Sequence, residues 1–98
     1  MKPANEESIR AILIRETCNE ILFNETEITK FDSAASLRDA YLFDSVSFME
    51  LRSICETVFK IEIDDEDMTP EHFRSIDSLS KYVAGRLNSP ALTRPVAE

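Results

Sequence analysis

Among its 98 residues the chain has a single glycine, Gly85. Tight hairpin turns and glycine-rich phosphate loops both depend on residues at positive φ, which glycine adopts without steric penalty. A chain this poor in glycine is therefore steered away from β-meanders and nucleotide-cradling loops. Helices make no such demand, and apolar residues recur at helical spacing in several separate stretches. The expected architecture is all-α.

The first helix is expected to start near Glu6, with Asn5 as its cap and Glu6 and Glu7 complementing the dipole in the first turn, and to run to about Phe23. Ile9, Leu13, Ile14, Thr17, Cys18, Ile21 and Leu22 form its core stripe, while Arg10, Arg15, Glu16, Asn19 and Glu20 face water. A second helix spans about Ser45 to Phe59. It turns Leu51, Ile54, Cys55 and Val58 inward and Glu50, Ser53 and Thr57 outward, and Phe48, Met49 and Arg52 share the face of Ser45. Between these helices, residues 24–44 form a long connection that Ile28, Phe31, Leu37 and Tyr41 tie to the core, with a short helical turn around Ser36 to Asp39. Connections of this length are usually functional.

Beyond the second helix, Ile61 and Ile63 leave in an extended stretch toward the core. The run Asp64-Asp65-Glu66-Asp67 suggests calcium, but the EF-hand pattern fails, because its sixth position lacks glycine and Ser75 stands where the twelfth-position glutamate belongs. A solvated acidic loop is the better reading. Thr69 caps a short helix over Pro70 to Arg74 that places Phe73 in the core. A final helix, capped by Asp77 and stapled by Ile76, carries Leu79, Tyr82, Val83 and Leu87. Residues 1–88 thus read as one small domain, and residues 89–98, with two prolines and no periodicity, as a flexible tail.

Charge and cysteine usage narrow the function. Nineteen acidic against 11 basic residues give a formal charge of −8, which repels nucleic acid and anionic membranes and favours basic partners. Cys18 and Cys55 both fall in helical apolar patterns, as buried thiols rather than a disulfide framework, and with the lone His72, read as a surface residue, they are too few for a metal site. The first residues carry acids where a signal peptide needs an apolar run, so a cytoplasmic protein is expected.

The stretch placed for chemistry is Asp44-Ser45-Val46. Asp44 is the N-cap of the second helix and Ser45 its first residue. A phosphate on the Ser45 hydroxyl would lie at the positive end of the helix dipole, a stabilisation of roughly 0.3–1 kcal/mol. Taken alone, the tripeptide is better read as a simple helix cap. In its setting, with Ser36-Leu37-Arg38-Asp39-Ala40-Tyr41-Leu42-Phe43 before it and the exit Val58-Phe59-Lys60-Ile61-Glu62-Ile63 after it, the chain resembles the acyl carrier and peptidyl carrier proteins over about residues 6 to 87. The family usually has glycine two residues before the aspartate; here Leu42 stands there, so ordinary backbone angles are expected on the approach to Ser45.

That resemblance implies a four-helix carrier bundle, three longer helices and one short, with a long loop between the first two. It implies 4′-phosphopantetheine, transferred from coenzyme A with Mg²⁺ by a phosphopantetheinyl transferase, on Ser45. Asp44 orients the helix start. The arm holds a fatty acyl, polyketide, aryl or aminoacyl cargo as a thioester, and the protein is a non-catalytic monomer serving an acyl- or aminoacyl-activating enzyme and a downstream synthase or transferase. Val46, Met49, Glu50 and Arg52 are the implied partner contacts; Met49 can equally fill a gap in the core. The helix after Ser45, with Ser47, Glu50, Arg52, Glu56 and Thr57, is less acidic than in fatty-acid carriers, and residues 68–76 look most like free-standing carriers served by a separate adenylating enzyme. The competing reading is an unmodified helical adaptor that docks partners through an exposed apolar groove. A hydrolase built on Ser45 lacks an identifiable base and the G-x-S-x-G pattern.

Overall fold

The computed structural model describes residues 5–88, apart from the side chains of residues 25–27; the expected tail, residues 89–98, lies outside the described residues. The described chain is a helical bundle with no strand. Its α-helices are α1 (Glu6–Glu16), α2 (Leu37–Tyr41), α3 (Ser45–Phe59), α4 (Pro70–Phe73) and α5 (Ile76–Asn88). None is long and apolar enough to cross a membrane.

The α1 helix starts where Asn5 Oδ1 accepts the Ser8 amide at 2.8 Å. It continues to Ile21 as a single π-helical turn, Thr17–Ile21, in which the Leu22 amide reaches back five residues to the Thr17 carbonyl at 2.9 Å. The wider turn leaves both Thr17 and Cys18 fully buried. Phe23 then takes φ 54°, and the Asn24 amide closes on the Cys18 carbonyl at 2.8 Å, the six-to-one bond of a Schellman-type end. The stripe on α1 packs along α5, where Ile76, Leu79, Val83 and Ala84 supply the opposing buried face.

The long connection has structure of its own: a 3₁₀ helix over Glu25–Lys30, then α2, capped by Ser36 Oγ, which accepts the Asp39 amide at 3.2 Å. Two backbone bonds sew it to the chain before and within α5, Leu37 N–H to the Arg74 carbonyl at 2.8 Å and Asp77 N–H to the Ser33 carbonyl at 2.9 Å. Leu37 is fully buried, and Phe31 stacks on Tyr41 with ring centroids 4.3 Å apart. Phe43, absent from the expected anchors, is buried as well and meets Phe48 edge-on.

Four expectations need correction. Val58 is 39% exposed, because the buried line of α3 runs through Phe48, Leu51, Cys55 and Phe59, and at 3.6 residues per turn Val58 lies at its edge. The α5 cap is Ser75, not Asp77: Ser75 Oγ accepts the Ser78 amide and Ser78 Oγ accepts the Ser75 amide, each at 3.1 Å, a reciprocal arrangement like a capping box. Asp77 instead occupies the first turn and meets Arg10 at 3.0 Å. Thr69 starts α4 through its backbone carbonyl, without a side-chain cap bond. His72 is half-buried rather than on the surface; its Nδ1 lies 3.0 Å from the Asp67 carbonyl and its ring packs on Tyr82.

Candidate functional site at the start of α3

The approach to Ser45 is set by the end of α2. Leu42 takes φ 58° and ψ 37°, the left-handed region, and the Phe43 amide bonds to the Leu37 carbonyl at 3.1 Å. The expectation of ordinary backbone angles at Leu42 is thus overturned. A helix that must stop in five residues and hand the chain to a buried Phe43 needs a left-handed residue at that point, whatever its side chain. Leu42 takes this conformation with its side chain 81% exposed.

Phe43, buried, then fixes where α3 begins. Asp44 is extended, and its Oδ1 accepts the Ser47 amide at 3.0 Å and the Ser47 hydroxyl at 3.1 Å. These bonds, that of the Ser47 amide foremost, hold the Asp44 carboxyl below its ordinary value of 3.8. The charged cap therefore persists through the physiological range. Ser45 is the first residue of the 15-residue α3, is exposed, and its hydroxyl makes no hydrogen bond among the described residues.

Around Ser45 the surface is apolar. Ser45, Val46, Met49, Glu50 and Ser53 line one shallow depression, in which Val46 is 67% and Met49 53% exposed. Leu42 precedes it on the approach. Of the four expected contact residues, three therefore gather at Ser45 and stand open to solvent.

Arg52 does not join them. Its Nη1 donates to Asp65 Oδ1 at 2.8 Å, its Nη2 donates to the Ile63 carbonyl, and its Nε lies 3.7 Å from Glu56 Oε2, which in turn accepts the Ile63 amide at 2.9 Å. The hydrogen bond to Asp65 raises the guanidinium pKa further. Arg52 clasps the loop after α3 to the helix. Asp67 is held by a matching pair, accepting from the Tyr82 hydroxyl at 2.7 Å with Arg86 at 4.0 Å.

A family model described as the phosphopantetheine attachment site matches residues 8–83. The chain belongs to that family. Among curated proteins none matches it significantly. As a phosphopantetheine-binding domain, it is the place of covalent attachment of 4′-phosphopantetheine, and carrier domains of this kind work with a phosphopantetheinyl transferase and with biosynthetic enzymes.

The residues present fit that group. Attachment needs a hydroxyl that an enzyme can reach and that is not engaged in holding the fold. Within this carrier domain Ser36, Ser47, Ser75, Ser78 and Ser80 are committed to hydrogen bonds of the fold; Ser33 is partly buried, and Ser8 and Ser53, exposed and with uncommitted hydroxyls as well, stand inside α1 and α3 rather than at a helix's first position. Ser45 is exposed, uncommitted, and opens a long helix.

Proposed function

We propose that the chain is a carrier protein that bears its arm on Ser45 and passes acyl or aminoacyl groups between enzymes. The observation that supports this most is the Ser45 hydroxyl: exposed, without a hydrogen bond among the described residues, and first in a 15-residue helix inside the family-matched segment. When bound, 4′-phosphopantetheine supplies a terminal thiol that holds the cargo as a thioester. The chain's own residues do the rest. Ser45 Oγ forms the new P–O bond and gives up its proton as the remainder of coenzyme A departs. Asp44 keeps the helix start in one geometry, so that the same surface meets each partner. Val46, Met49 and Glu50 form the contact surface beside the arm, with apolar area for adhesion and a rim charge for steering. Arg52 fixes the loop behind that surface and acts on partners only through it.

On this reading the protein performs no chemistry itself. It works in the cytoplasm as a free-standing monomer, loaded by a separate adenylating or acyl-activating enzyme in fatty-acid, polyketide or nonribosomal-peptide-type biosynthesis. An unmodified adaptor would use the same apolar surface, but it gives no reason for the match of residues 8–83 to the phosphopantetheine attachment site. Intact mass of the chain expressed in a bacterial host discriminates the two. A carrier leaves the cell at least partly heavier by one phosphopantetheine; an adaptor has the mass of its sequence alone.

A further inference from the structure

One helical turn along α3 from Ser45, Phe48 walls a second cleft, of about 360 Å³, between α2, α3 and the segment that forms α4. Met68, Pro70 and Phe73 supply the rest of its apolar lining, and Ser36, Thr69 and the exposed Arg38 and Arg74 its polar part. The two arginines are brought together by the backbone, since the Leu37 amide bonds to the Arg74 carbonyl at 2.8 Å. Of the other described arginines, Arg10 meets Asp77, Arg52 meets Asp65 and Arg86 meets Asp67, while Arg15, exposed on α1 and lining no cleft, has no ion pair. The guanidinium groups of Arg38 and Arg74 have no ion-pair or hydrogen-bond partner among the described residues, in a chain whose formal charge is −8. Two uncompensated guanidinium groups on one apolar cleft make a site for a ligand with an apolar body and an anionic end, because the planar fork of arginine matches a carboxylate bidentately.

We infer that this cleft is a cargo site that selects acyl groups ending in a second carboxylate, with Arg38 and Arg74 as the specificity-determining residues. The inference rests on the carrier reading of Ser45. The thioester consumes one carboxyl of the cargo, so a cargo that reaches the arginines with another is a diacid with an apolar spacer. The phosphate of the arm is the less suitable anion, because it is attached at Ser45, which does not line the cleft. The volume lies near the lower end of small-molecule sites, which suits a short chain.

The test loads Ser45 with hydrolysis-resistant amide analogues of octanoyl- and suberoyl-coenzyme A, equal in chain length and different only in the terminal carboxylate, and records two-dimensional NMR spectra of the apo, unloaded holo and both loaded forms. The suberoyl form is expected to shift the side-chain Nε–H signals of Arg38 and Arg74 together with the ring signals of Phe48 and Phe73. The octanoyl form should leave the arginine signals where the unloaded holo form has them. The double variant Arg38→Gln/Arg74→Gln should lose the difference between the cargoes, and added salt should shrink it in the native chain. Identical arginine shifts with both cargoes overturn the inference. So do arginine shifts that appear on going from apo to unloaded holo and do not change on loading, which assign the anion to the arm. If no analogue is transferred at all, the mass stays that of the apo chain, and the carrier reading falls together with this inference before a spectrum is recorded.

Discussion

The Phe43 amide and the Leu37 carbonyl, 3.1 Å apart, close the end of α2 across a left-handed Leu42 whose side chain is 81% exposed. A leucine in that conformation costs about 1–2 kcal/mol, and an exposed side chain recovers little of it by burial. Glycine would relieve the strain while adding about 0.4–1 kcal/mol of unfolded-state entropy to be lost. Leu42→Gly is therefore expected to stabilise the fold by roughly 0.5–1 kcal/mol, a rise in thermal midpoint of about 2–8 °C for a domain of this size. The same variant should bind partner enzymes more weakly, because it removes apolar surface next to Ser45. Calorimetry and a binding titration check the two halves; a fall in the midpoint contradicts the strain argument.

Asp44 gives the start of α3 a pH dependence. Its folded pKa lies below its ordinary 3.8, so the stability it contributes is present above that value and is lost as the pH falls through the lower, folded one. Asp44→Asn keeps a capping side chain that does not titrate in this range. Thermal midpoints of the two proteins, measured from pH 7 down to pH 2, should converge across the acid limb; curves that stay parallel would remove Asp44 from the account of acid stability.

Glu50 and Arg52, two residues apart on α3, should answer to different measurements. Glu50 is exposed beside Ser45, so Glu50→Lys should slow association with a basic partner, less so at high salt, and leave the thermal midpoint unchanged. Arg52→Gln removes donors from Asp65 and the Ile63 carbonyl. It should lower the midpoint and speed amide exchange at Ile63, with little effect on the association rate. Stopped-flow association and hydrogen exchange separate the two; the opposite assignment of effects would place Arg52 in the docking surface.

The core is graded. Leu51 is fully buried and Phe59 only partly, so Leu51→Ala should cost about 2–5 kcal/mol, with Phe59→Ala at the lower end of that range or below it. Gly85 offers the reverse test. It is exposed within α5 and nothing lies within 4 Å of where its Cβ would stand, so Gly85→Ala should raise stability by about 1 kcal/mol. Urea denaturation measures all three; a destabilised alanine at position 85 would mean that something covers that face of α5.

Cys55 tests burial chemically. Desolvation, with a smaller contribution from Glu56, pushes its thiol up to about 12, and it is fully buried. At neutral pH it should react with a thiol reagent only as fast as the fold opens, and immediately in denaturant.

The helices and the place of Ser45 were readable in the sequence because each helix carries an apolar stripe of its own, and because Asp44 is a strong cap directly before one. What was not readable depends on residues far apart in the chain or on choices between neighbours. Arg52 looks like a surface cation until the loop returns Asp65 and Ile63 to it, 13 and 11 positions later. The acidic run Asp64–Asp67 was the one hint, since it offers carboxylates to a cation on the preceding helix. Ser75 and Asp77 are both competent caps two residues apart, and the buried Ile76 decides between them by requiring the helix to start at its own position. Leu42 departs from expectation because its residue type argues against the left-handed region, whereas the short α2 and the buried Phe43 on either side demand it.

Reconstitution identifies the attachment residue. The purified apo chain is incubated with coenzyme A, Mg²⁺ and a broad-specificity phosphopantetheinyl transferase, followed by intact mass and peptide mapping. One phosphopantetheine should be added, on Ser45, and none to Ser45→Ala, whose stability should match the parent because Asp44 still caps α3. A chain that stays unmodified with several transferases while a control carrier is converted, or one modified at another serine, would contradict it.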